Sequence, residues 1–178
     1  SGKSFVAKTF GYPVFNADYE VSTLYKKNKK IFIKLNKKLP KYISKFPVDK
    51  NEVTKAILSD KNNLRKIINI VHKEIRKKMK LFLKKNKNKK IVILDIPLLL
   101  ENKINTRKDI LVFVESKKIE IEKRLLNRKN FNRKLYNRFK KIQFSSRYKK
   151  RKSHFIIKND FKKKTVKNII KNILEKIL

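Results

Sequence analysis

The chain has 178 residues, 40% of them apolar, enough for one sizeable core or a core with small inserted subdomains. It carries 52 Lys and Arg against 14 Asp and Glu, a formal net charge of +38, and no cysteine. The cysteine count excludes disulfides, Cys-ligated zinc and a cysteine nucleophile, and no apolar run reaches the roughly 20 residues that span a bilayer.

The opening Ser1-Gly2-Lys3-Ser4 leads into a predicted helix over residues 4–10, ended by Gly11. Residues 13–16 read as a short strand leading to Ala17-Asp18. Residues 19–39 alternate apolar residues with lysine pairs and read as helical, with a break near Pro40. A loop follows at residues 47–49, then a short helix over about 52–58. Asp60 is a candidate N-cap for the next helix, whose Leu64, Ile67, Ile68, Val71, Ile75 and Met79 recur on one face at a 3.6-residue period. Residues 84–90 form a polar loop.

Residues 91–94 are a continuous apolar run of strand length, ended by Asp95 and Pro97. Such runs suit parallel strands covered on both faces. Residues 110–114 and 155–157 behave in the same way. Helices are expected over about 118–128 and 133–143. Val166, Ile169, Ile170, Ile173, Leu174 and Ile177 mark an amphipathic closing helix. Buried strands alternating with helices point to an α/β layered fold with a parallel sheet.

Ser1-Gly2-Lys3-Ser4 matches the end of the phosphate-binding loop, in which glycine permits a turn that aims backbone N–H groups at phosphate oxygens. Lys3 would then bridge the β- and γ-phosphates of ATP and Ser4 would ligand Mg²⁺. The alternative is a frayed basic terminus. Asp18, at a strand end, suits a base that accepts a hydroxyl proton, or else caps the following helix. Asp95 suits a ligand of Mg²⁺ or its waters, or simply terminates its strand. Arg124 and Arg128 are four residues apart, which places them on one helix face. They suit neutralisation of a transferring phosphoryl group, or plain surface charge. His72 lies within an amphipathic helix and is a partly buried helper or a substrate contact.

These segments together resemble the dephospho-CoA kinase family, from the first residue to about Asp160. Its phosphate loop ends in S-G-K-S, as at residues 1–4, and its D-A-D turn corresponds to Asn16-Ala17-Asp18. Its D-x-P-L-L-F-E segment corresponds to residues 95–101, with Leu100 in place of Phe, and its L-H-P-x-I segment to residues 71–75. Its R-x-x-x-R, then Q, K and A-D-x-x-I-x-N, correspond to Arg124, Arg128, Gln143, Lys149 and residues 153–159.

The resemblance implies a P-loop NTPase three-layer sandwich: a core at residues 1–19, 91–123 and 151–178, a helical CoA-binding insertion at about 20–90, and a lid at about 124–150. It implies attack of the ribose 3′-hydroxyl of dephospho-CoA on the γ-phosphate of Mg·ATP, the last step of coenzyme A synthesis. Asp18 would accept the proton, and Lys3, Arg124 and Arg128 would stabilise charge. Ser1, Gly2, Lys3, Ser4 and Asn159 would hold ATP. Asp18, His72, Asp95, Pro97 and Leu98 would meet dephospho-CoA, and Ser4 and Asp95 would hold the metal. Departures from the family pattern include Leu100, Ser22 for the Arg four residues after the base, Lys73 for the Pro after the motif His, and His154 for the Asp of the A-D pair. The family's phosphate loop also begins with a strand and glycines ahead of S-G-K-S. The sequence is therefore read as N-terminally truncated, and as poorly stable and impaired in ATP binding.

Two other functions fit parts of the pattern: another small-molecule P-loop kinase, of the nucleoside-monophosphate or shikimate type, and a nucleic-acid-binding module that exploits the charge. Lysine supplies 43 of the 52 basic residues and is spread along the whole chain, while arginine is scarce. Ile and Asn are abundant too, and all three have A/T-rich codons, so compositional drift accounts for the excess. The charge then implies only salt-sensitive, nonspecific contact with polyanions. A cysteine-free chain with no signal-peptide pattern suits a cytoplasmic setting.

Overall fold

The computed structural model describes residues 2–128 and 131–178. The chain divides into two compact units, one made of Ser1–Val14 and Ile93–Leu178, the other of Phe15–Val92.

The first unit opens with α1 (Lys3–Thr9), followed by Gly11 at φ 77. A left-handed residue just past a helix is the usual role of glycine there, because it has no Cβ to clash. The strand β1 (Val14–Asn16) runs across the boundary between the units. Within the first unit, the Ile93 N–H donates to the Pro13 carbonyl at 2.8 Å. That bond sets β2 (Ile93–Asp95) beside the chain leading into β1. The expected strand over 91–94 is thus shifted by about two residues, and its last member is Asp95 itself.

β3 (Val112–Glu115) and β4 (Phe155–Lys158) pair in parallel, Val112 opposite Phe155 and Glu115 opposite Lys158. Their apolar runs meet the requirement for a sheet buried by helices. The closing helix α9 (Lys163–Ile177) and α1 pack on them. Val6, Ile157, Val166, Ile170 and Ile173 form the buried cluster, with Phe5, Phe10, Val112, Val114 and Phe155 around it. Between β3 and β4 lie α6 (Lys118–Leu126), α7 (Arg133–Ile142) and α8 (Ser146–Lys152). Two differences from the sequence reading stand here. α6 stops at Leu126, so Arg128 lies beyond the helix and shares no helical face with Arg124. No residue of α6 is fully buried, so little apolar burial favours extending the helix beyond Leu126. The helix α8 was unforeseen: Ser145 caps it by accepting the Tyr148 N–H at 3.2 Å, although the segment has no apolar periodicity to announce it.

The second unit is helical. α2 (Ala17–Lys27) and α3 (Lys29–Lys38) replace the single helix expected over 19–39. The break is Asn28, whose side chain accepts the Ile31 N–H at 3.0 Å and caps α3. An asparagine that can bond its own backbone competes with helix continuation. α4 (Lys50–Ser59) and the long α5 (Lys61–Lys85) follow. Asp60 caps α5 by accepting the Asn62 N–H at 2.8 Å. Ile67, Val71 and Ile75 are buried on one face of α5, against which α2, α3 and α4 pack. Leu24, Ile31, Leu35 and Ile43 are almost wholly enclosed in this second core. Burial also pushes the Tyr25 hydroxyl up to about 12. Among the described residues no helix is long and apolar enough to cross a membrane.

Ile157 has 0% exposure at the centre of the first core. Ile157→Ala is expected to cost about 2–5 kcal/mol, as lost transfer energy plus a cavity. A denaturant midpoint unchanged from the parent would show that β4 is not packed as described.

Candidate active site

Gly2 stands at the start of α1 with φ 72, in the left-handed region. A Cβ there would lie 2.5 Å from Asn159 Nδ2 and 2.7 Å from the Phe161 ring. Backbone conformation and space both require glycine at this position. Lys3 and Ser4 follow in the first turn and are exposed. The Ser4 hydroxyl donates to Asp95 Oδ2 at 2.5 Å, across 91 residues of sequence. Asp95, at the end of β2, is only 7% exposed. A buried carboxylate and a hydroxyl, both hard oxygen donors, thus lie side by side at the start of α1. Ser1 lies outside the described residues.

After β2 the chain turns sharply. Leu98 has φ 55, a conformation uncommon for a residue with a Cβ. Its carbonyl accepts both the Asn102 backbone N–H at 3.0 Å and the Asn102 side-chain amide at 2.9 Å. Pro97 and Leu98 are partly buried in this turn. Strained backbone that the surroundings hold in place is a common mark of a binding loop. Glu101 closes the segment. Its carboxylate accepts from Lys149 Nζ at 2.8 Å and from the Phe144 N–H at 2.9 Å. Burial pushes this carboxyl upward, but the Lys149 ammonium and the backbone donors outweigh it and hold it below the ordinary glutamate value. Glu115, at the end of β3, pairs with Lys150. These bonds tie α8 to the loop that follows β2 and to the end of β3.

Arg124 lies in the last turn of α6, its guanidinium over the Phe161 ring at 3.8 Å from the centroid. Arg128 follows in the bend after α6. Lys129 and Asn130, which fall within the expected lid, lie outside the described residues. Asn159 directly follows β4 and is only 4% exposed. Its N–H donates to the Glu115 carbonyl at 2.7 Å, and its side-chain Oδ1 accepts the Phe161 N–H at 2.9 Å. The first unit therefore gathers Gly2, Ser4, Asp95, Asn159 and Arg124 around the start of α1, all from segments singled out in the sequence.

Asp18 and His72 belong to the second unit. Asp18 is exposed in the first turn of α2, which Asn16 caps by accepting the Tyr19 N–H at 2.7 Å. Capping is thus done by Asn16. His72 is half-buried on α5. Burial and then the Arg76 charge lower it from the ordinary histidine value, which keeps the imidazole neutral at physiological pH.

A glycine turn, a lysine, and a serine paired with a strand-end aspartate are groups whose chemistry suits contact with a phosphate. Among the described residues no group of three or more His, Asp or Glu could hold a metal ion alone. A family model described as dephospho-CoA kinase matches residues 1–165. The chain belongs to the dephospho-CoA kinase family. Similar curated proteins include the dephospho-CoA kinase of Wolbachia pipientis, 32% identical over 99% of this chain and 92% of that protein. The dephospho-CoA kinase of Rickettsia typhi is 32% identical over 97% of this chain and 92% of that protein. Among solved structures, a Thermus thermophilus protein superposes with a TM-score of 0.76 at 22% identity, covering 99% of this chain and 92% of that one. A dephospho-CoA kinase from Campylobacter jejuni gives 0.60 at 18%, covering 97% and 88%. These likenesses establish the α/β P-loop fold.

Three residues of the first unit acquire functions in the structure that the family's motifs do not announce. His154, which departs from the family pattern, accepts the Leu111 N–H through Nδ1 at 2.9 Å and so fixes the start of the β3–β4 pair. Glu101 is the anchor of α8. Phe161 had no signal in the sequence beyond being an aromatic residue in a polar stretch.

The Glu101 carboxyl is lowered in the fold, so its stabilising contribution is full above the unfolded value of about 4.3 and is lost as pH falls below it. Glu101→Gln is therefore expected to lower the melting temperature at neutral pH, and the gap to the parent is expected to narrow in acid. An equal gap at all pH values would show that the Lys149 pair contributes nothing.

Proposed function

We propose a residue-level account of how this chain carries out the reaction of its family, the ATP-dependent phosphorylation of dephospho-CoA to coenzyme A. The 3′-hydroxyl oxygen of the dephospho-CoA ribose attacks the γ-phosphorus of ATP. The bond to the β,γ-bridging oxygen breaks and ADP leaves. Asp18 accepts the hydroxyl proton. It is exposed, in the first turn of a helix, and its type and position suit a base for a hydroxyl nucleophile. Lys3, with Arg124 and Arg128, offsets charge on the transferring group.

The observation that carries this reading is the Ser4–Asp95 hydrogen bond. It joins the end of the phosphate-loop motif to the tip of the D-x-P-L-L segment, two motifs far apart in sequence. Ser4 and Asp95 are the residues that would hold Mg²⁺, which when bound neutralises phosphate charge. Gly2 and Lys3 would bind the phosphates of ATP, together with Ser1, and Asn159 would lie near the adenine. His72, Pro97 and Leu98, with Asp18 and Asp95, would meet dephospho-CoA. The helical unit supplies the acceptor platform, and residues 124–150 the lid. An ATP-dependent reaction and a cysteine-free chain suit the cytoplasm. Contacts with nucleic acid would be nonspecific and weaken with salt.

The test is a coupled ADP-release assay on the full natural chain with dephospho-CoA. Lys3→Ala and Asp18→Asn are each expected to lower kcat by about two to four orders of magnitude. Bound ATP without turnover of dephospho-CoA would sink the reading, and an Asp18→Asn variant as fast as the parent would remove the base.

A further inference from the structure

Phe161 stands out because three unrelated features meet on it. Its backbone has φ 64, in the left-handed region that residues with a Cβ rarely adopt. Its ring carries the Arg124 guanidinium at 3.8 Å from the centroid. The same ring reaches to 2.7 Å from the point where a Cβ on residue 2 would stand, and so fills space that only Gly2 leaves open.

The loop that holds it is over-determined. Asn159 is buried and its Oδ1 accepts the Phe161 N–H. Asp160 accepts the Lys162 N–H at 2.9 Å and the Thr165 hydroxyl at 2.9 Å. Side-chain acceptors at 159 and 160, which take the N–H groups of residues 161 and 162, keep the backbone of Phe161 in the unfavourable region, and strain held in this way is typical of functional loops. An aspartate or glycine would satisfy the turn alone. A phenyl ring there does something further.

We propose that Phe161 is a positioning residue for the reaction: its ring serves as a platform that sets the Arg124 guanidinium beside Gly2. The inference rests on the assignment of Arg124 to charge stabilisation. Arg124 is exposed in the last turn of a helix with no fully buried residue, so its long side chain has many accessible rotamers. Stacking on a fixed ring selects a subset of them, and a planar guanidinium stacks better than an ammonium. Phe161 would act only through Arg124 and touch no reacting atom.

The full natural chain separates the possibilities. Phe161→Ala is expected to lower kcat about tenfold, with little change in KM for dephospho-CoA. Phe161→Tyr keeps the ring and should restore kcat, whereas Phe161→Leu, equally apolar, should not. In an Arg124→Ala background, adding Phe161→Ala should change nothing more. If Arg124→Ala slows the enzyme but Phe161→Ala does not, or if the two losses simply multiply, the platform is wrong while the role of Arg124 stands. If Arg124→Ala has no effect, both fall. A Phe161→Ala enzyme with higher kcat or lower KM for ATP would make the ring an obstruction and overturn the proposal.

Discussion

The hydrogen bond between Ser4 and Asp95 is the constraint around which the first unit is organised. It requires a strand that ends in a carboxylate and a helix whose first turn faces that strand end. Burial of Asp95 raises the cost of leaving its oxygens without partners, so the serine is held and the start of α1 is fixed. Gly2 then stands against Asn159 and Phe161, which gives the end of β4 its place beside the same turn. Three segments from the beginning, middle and end of the chain converge through contacts of one or two atoms each.

The charge of the chain is handled unevenly. Carboxylates are scarce, 14 against 52 basic residues. Two of them, Glu101 and Glu115, are used to fasten Lys149 and Lys150 of α8 to the loop after β2 and to the end of β3. The first of these pairs is largely enclosed and carries an added backbone donor, unlike the exposed Lys171–Glu175 pair on α9, which is worth little. The arrangement gives the segment after α7 a firm base. Most of the remaining lysines among the described residues lie in helices, where a long side chain can keep its charge hydrated.

Helix α5 and the closing helix were legible because each has a long, regular apolar stripe, and Asp60 caps α5 as its type suggested. The short parallel strands were legible as uninterrupted apolar runs. The split of α2 from α3 at Asn28 was not, because asparagine is tolerated inside helices and reveals its capping role only when its side chain turns back on the backbone. The helix α8 was hidden for a different reason: seven residues dominated by Lys and Arg have no period, and the helix is held by one serine cap and two ion pairs from elsewhere in the chain.

From the sequence alone came the class of fold, the family and the residue types suited to phosphate transfer, because hydrophobic period and motif spacing are local properties of the chain. The pairing of Ser4 with Asp95, the seat of Arg124 on Phe161, the anchoring of α8 by Glu101 and the bond of His154 to the β3 backbone came only with the tertiary structure. Each joins residues tens of positions apart or more. Which donor meets which acceptor at such separations is decided by how the strands and helices pack, and no local pattern records it.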